Sequence, residues 1–113
     1  MMKWFSRQKD SQPPKTFDGM IEAVRYSPEG MLQVARIYER RGPTWSDRVL
    51  ITREEMIRRM KAGQKFVTGQ RIERLASTFE VKSAVRLTSL DGVEALRSVG
   101  DAGQRDQLDA PLF

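Results

Sequence analysis

The four residues Ser27-Pro28-Glu29-Gly30 stand between two apolar-rich runs, 20–26 and 32–38, and they constrain the fold more than any other feature of the chain. Proline supplies the fixed φ that suits the second position of a type I turn. Glycine accepts the left-handed conformation that forms a bulge before the returning strand. Such a turn sets a register. Pairing Ser27 with Met31 places Tyr26 opposite Leu32, Val24 opposite Val34, Glu22 opposite Arg36 and Met20 opposite Tyr38 on one face. The other face then carries Arg25/Gln33, Ala23/Ala35 and Ile21/Ile37. The opposed charges, Glu22 and Arg36, come out with opposite signs. Both faces are partly apolar, so the hairpin needs cover on each side, from a strongly coiled sheet or from a helix on one face and a partner on the other.

Downstream, Arg41-Gly42-Pro43-Thr44 reads as a loop and residues 47–52 as a short strand. The period then becomes helical. Thr52 followed three residues later by Glu55 is a capping box, and Gly63 supplies a left-handed stop. This predicts a helix over 53–62 with Met56, Ile57 and Met60 facing inward and Glu54/Arg58 and Glu55/Arg59 as i,i+4 ion pairs. Residues 65–68 and 78–82 follow as strands, and Val85-Arg86-Leu87 resumes the alternation after a bulge at Ser83-Ala84. Asp91-Gly92-Val93-Glu94 would cap a short helix whose stripe is Val93, Leu96 and Val99.

The expected organisation is a flexible N-terminal segment over 1–16, a single compact α+β domain over 17–90, and a short helix or disordered tail over 91–113. The expected architecture is a small twisted antiparallel sheet of about five strands with one helix, in the order strand-strand-strand-helix-strand-strand; an SH3-like or OB-like small barrel is the alternative.

Missing residue types narrow the chemistry. The 113 residues include no Cys, which removes disulfides, thiolate nucleophiles and zinc ribbons, and no His, which removes the commonest metal ligand and the usual acid–base group near neutrality. Glu54 and Glu55 have salt-bridge and capping roles, and Glu39, Asp47, Glu73 and Glu80 lack metal-loop spacing. Gly63 and Gly69 flank five residues rather than the four of a phosphate loop, and Gln70-Arg71 replaces the Lys-Ser/Thr that loop requires. Only a small anion nest around Gly69-Gln70-Arg71 survives from that comparison. No cofactor, metal, catalytic residue or small-molecule substrate is expected, and the chain reads as non-enzymatic.

Charge points elsewhere. The chain carries a net +5, and residues 40–74 hold ten Lys and Arg against four acids. An excess of this kind attracts phosphate backbones through counterion release. The candidate anion or nucleic-acid contacts are Arg40, Arg41, Arg58, Arg59, Lys61, Lys65 and Arg71, with Trp45 and Tyr38 as candidate stacking rings. The expected function is a non-catalytic binding module with a basic surface, nucleic acid being the leading anionic partner. The alternative is a protein-interaction or self-association module, such as a homodimer, using the hairpin's second apolar face. Trp4 and Phe5 among Lys3, Arg7 and Lys9 read as a frayed terminus, and 110–113 as an apolar segment able to dock in a groove. No run of 18 apolar residues exists and the start lacks a signal-peptide core, so the expected location is cytoplasmic.

Overall fold

Ser27-Pro28-Glu29-Gly30 closes the expected hairpin. In the computed structural model, which describes residues 16–72, 78–98 and 105–113, the Ser27 N–H donates to the Met31 carbonyl at 2.8 Å and the Gly30 N–H to the Ser27 carbonyl at 2.9 Å. Gly30 holds φ +84°. The paired strands are β1 (Gly19–Tyr26) and β2 (Leu32–Arg41).

Their register matches expectation at both ends, Tyr26 with Leu32 and Ile21 and Met20 with Ile37 and Tyr38, but not between. There Arg25 faces Val34, Val24 faces Ala35 and Ala23 faces Arg36. Gln33 is an extra residue in β2 and Glu22 an extra residue in β1, two bulges that cancel. The reason is the core. Ile21 and Val24, and likewise Leu32 and Ala35, are three apart yet enter the same apolar cluster, which strict alternation forbids and one inserted residue permits.

β3 (Thr44–Trp45) and β4 (Val49–Thr52) share the outer edge of β2. Helix α1 (Arg53–Lys61) begins at Thr52, whose hydroxyl accepts from the Glu55 N–H at 3.3 Å, and Gly63 follows at φ +100°. Met56 and Ile57 are buried and Met60 packs beside them. The expected Glu54/Arg58 pair is replaced, since Arg58 turns to Glu55, three residues back instead of four.

β5 (Phe66–Arg71) runs parallel to β1, with Gly19, Met20 and Ile21 beside Phe66, Val67 and Thr68. The sheet is therefore mixed, not antiparallel throughout: the connection from β1 to β5 contains α1, and a helical crossover allows a strand to return in the same direction. β6 (Phe79–Ala84) pairs antiparallel with β5. The bulge falls at Lys82, one residue before the expected Ser83-Ala84, because Gly69 pairs with Val81 and Thr68 with Ser83. The hydrogen-bonded path runs β3-β2-β1-β5-β6.

The C-terminal third departs furthest from expectation. β7 (Arg86–Leu90) and β8 (Val93–Arg97) form a second, two-stranded antiparallel sheet in place of the short helix. Asp91 at φ +54° and Gly92 at φ +80° make the two-residue turn, and Asp-Gly tolerates both left-handed positions of a type I′ hairpin. Eight strands and one helix thus stand among the described residues, where about five strands were expected. Residues 105–113 are packed on the domain. Asp106 and Leu108 are buried, and the Leu112 backbone bridges to Val24. Of the sequence expectations, the flexible segment up to residue 15, Glu73, Arg74 and Val99 lie outside the described residues.

Two cores result. The larger gathers Ile21, Ile37, Ile51, Met56, Phe66 and Leu96, among others, between sheet, helix and the β7–β8 hairpin. The smaller lies on the opposite face of the sheet and joins Phe17, Met20, Tyr38 and Val67 to Trp45, Phe79 and Val81. The second apolar face of the first hairpin is covered by the chain's own aromatic side chains.

Candidate functional site

The Glu22 bulge aims a carboxylate at three donors. Its Oε2 accepts from the Tyr38 hydroxyl at 2.8 Å, its Oε1 from Arg36 Nε at 2.8 Å, and Arg48 Nε approaches both oxygens at 3.0 and 3.2 Å. Burial pushes the Glu22 carboxyl up, but the Tyr38 hydroxyl and the Arg48 and Arg36 guanidinium groups outweigh it, and the group ends below the ordinary carboxylate range. Burial and the bond to Glu22 raise the Tyr38 phenol.

This network forms part of a cleft of about 410 Å³. Arg36 and Tyr38 come from β2 and Arg48 from the residue before β4, while Gly69, Gln70 and Arg71 come from the end of β5 and Lys82 from the β6 bulge; Pro111 completes the lining. Four cationic side chains thus surround one carboxylate, a net +3 within a single depression. The Arg71 guanidinium lies 5.3 Å from the Tyr38 ring centre and 5.9 Å from that of Phe79. It makes no side-chain hydrogen bond or ion pair among the described residues, and neither does Lys82. Gly69 is needed where it stands: a Cβ there would come within 2.1 Å of the Glu80 carbonyl oxygen, so only a glycine lets β5 and β6 approach at the back of the cleft.

The nine side chains singled out from sequence separate into groups. Arg71 and Tyr38 reach the cleft. Arg40 and Trp45 do not line it, the Arg40 guanidinium standing 4.7 Å from the Trp45 ring centre with its Nε donating to the Phe17 carbonyl. Arg58 and Arg59 both bind Glu55, Arg59 also binds Glu39, Arg41 binds Glu39, and Lys61 pairs with Glu94 at 2.9 Å. Those four cations are largely neutralised by neighbouring acids. Arg58 and Arg59 hold the Glu55 carboxyl down to about 2, and Arg59, then Arg41, hold Glu39 below its ordinary value. Lys65 is exposed, and its own backbone N–H is bound by Asp18.

Neither ring offers a free stacking face, contrary to expectation. Tyr38 is 3% exposed. Trp45 packs edge-on against Phe79 at 4.8 Å and tilted against Phe17 at 5.3 Å, with Arg40 over it. The apolar second face of the sheet needed cover, and these aromatics supply it. Sequence reasoning passed over Arg36, Arg48 and Lys82 as site residues. Arg36 had a readable signal, its opposition to Glu22. Lys82 had none, since its placement depends on a bulge set by Gly69. Among the described residues no group of three acidic side chains could hold a metal ion, and no helix is long and apolar enough to cross a membrane.

Comparison of the chain with models of known protein families, with curated proteins and with solved structures finds no match.

Proposed function

We propose that this protein is a non-catalytic binding module that engages the phosphates of a nucleic acid through the cleft between β2, β5 and β6. The observation that carries the reading is the convergence of Arg36, Arg48, Arg71 and Lys82 on one depression holding a single carboxylate. Arg71 and Lys82 bring donors that no carboxylate among the described residues consumes. Guanidinium groups offer paired N–H donors that match phosphate oxygens, and a cluster of them releases condensed counterions on binding. The non-catalytic part of the reading draws on Glu22. A carboxylate held below its ordinary pKa and engaged by three donors is a poor general acid or base. With Tyr38 and Trp45 enclosed, recognition rests on the backbone and is sequence-tolerant.

Titration of single-stranded and duplex oligonucleotides at two salt concentrations tests this. Engagement of about three cations gives a log K against log salt slope of about −2 to −3. Absence of binding at about 50 mM salt, or affinity indifferent to salt, overturns the reading.

A further inference from the structure

We infer that the cleft is built for a phosphate monoester, the terminal phosphate of a strand or of a nucleotide, more than for a run of internal phosphodiesters. The inference rests on the nucleic-acid reading of the same site.

Size is the first ground. The cleft is a small depression of about 410 Å³. Along each strand of a duplex the charges are spaced by about 3.4 Å of axis, each on a diester with one charge and two free oxygens. A monoester concentrates a charge of about −1.5 to −2 on three acceptor oxygens in one group. That concentration matches a net +3 whose cations come from β2, the residue before β4, β5 and β6.

The second ground is how the arginines are held. Arg71 lies against Tyr38 and Phe79, and the Arg36 guanidinium lies 4.9 Å from the Phe113 ring centre. Phe113 is itself fixed, its N–H donating to the Val24 carbonyl at 3.1 Å and its carbonyl accepting from Arg25 Nε at 3.1 Å. Contact with a ring occupies the face of a guanidinium and leaves its N–H edge, which in Arg71 is uncommitted among the described residues and in Arg36 gives Nε–H to Glu22 and keeps the terminal N–H groups for an anion. Two cleft arginines are therefore restrained before any ligand arrives, which lowers the ordering cost of gripping one compact group. Phe113 acts here as a positioning residue for Arg36.

The test compares one single-stranded oligonucleotide with a 5′-phosphate or a 5′-hydroxyl, alongside the matching nucleoside 5′-monophosphate. The phosphorylated strand should bind at least about tenfold more tightly than the hydroxyl form, a difference of about 1.4 kcal/mol. Arg71→Ala and Lys82→Ala should each shrink that ratio, and Phe113→Ala should shrink it while Phe113→Tyr preserves it. Should Arg71→Ala fail to fold, the exposed Lys82→Ala carries the comparison. Equal binding of both strands, still salt-dependent, overturns the monoester and leaves the nucleic-acid reading standing. No binding of either strand at about 50 mM salt overturns both. A mononucleotide that binds as tightly as the phosphorylated strand supports the monoester and overturns the strand as its source; a much weaker one supports the strand end.

Discussion

Asp106 ties together parts of the chain that are far apart in sequence. Its carboxylate is fully buried and accepts from the Leu32 N–H at 2.5 Å, the Leu96 N–H at 2.8 Å and Arg53 Nε at 2.8 Å. One side chain thus joins the start of β2, strand β8 and the first residue of α1. Each donor is a group that burial would otherwise leave unsatisfied. Asp106→Ala strands two backbone donors and takes the carboxylate from the Arg53 guanidinium, which is 20% exposed and keeps its bond to the Glu94 carbonyl, and should lower unfolding stability by about 3 kcal/mol, read from urea denaturation. Asp106→Asn keeps one acceptor and should lose less. Gly69 is sensitive in a different way. Because a Cβ would meet backbone at Glu80 as well as Met20 Sδ at 2.8 Å, Gly69→Ala forces the β5–β6 bulge apart. The expected cost is about 1–3 kcal/mol by thermal melt, together with weakened oligonucleotide binding because the cleft wall moves.

At the scale of elements, the helix start is the most readable part of the sequence. Thr52 fills its cap position as the spacing requires. Thr52→Ala should therefore cost about 1 kcal/mol and Thr52→Ser almost nothing, a contrast visible as a Tm drop of about 4–8 °C for alanine alone. The other half of the capping box is not made, because Arg58 and Arg59 hold the Glu55 carboxylate. Local chemistry also fixed the Pro28/Gly30 turn. It could not decide Asp91-Gly92, which serves equally as a helix cap and as a type I′ turn. The stripe Val93, Leu96 and Val99 favours helix locally, while the structure selects strand, with Leu96 filling the main core and β8 paired to β7. The parallel contact of β1 with β5 and the return of residues 105–113 are set by tertiary packing and leave no local trace. The candidate site shared that fate. Its cations sit at 36, 48, 71 and 82, so a count along 40–74 registers the charge but not the place where it converges.

Across the whole molecule, the surplus of cations makes a few carboxylates carry many contacts. Glu22 serves Arg36 and Arg48, Glu39 serves Arg41 and Arg59, and Glu55 serves Arg58 and Arg59. All three titrate below their ordinary value of 4.5, Glu55 at about 2. A carboxyl depressed by folding stabilises the native state above its unfolded pKa, where both states are ionised. As pH falls through that value the unfolded chain takes up protons first, so stability declines until the folded groups protonate as well. Thermal stability should accordingly stay level from about pH 7 to 5.5 and fall from about pH 4.5 towards 2. Glu22→Gln, Glu39→Gln and Glu55→Gln should each lower stability at neutral pH and flatten the acid limb, because each removes one of the groups that distinguishes the two states. Glu55, the most exposed of the three, should also lose its contribution fastest in added salt, since screening acts most strongly on exposed pairs. An acid limb unchanged in the triple variant would overturn the assignment of the pH dependence to these three carboxylates.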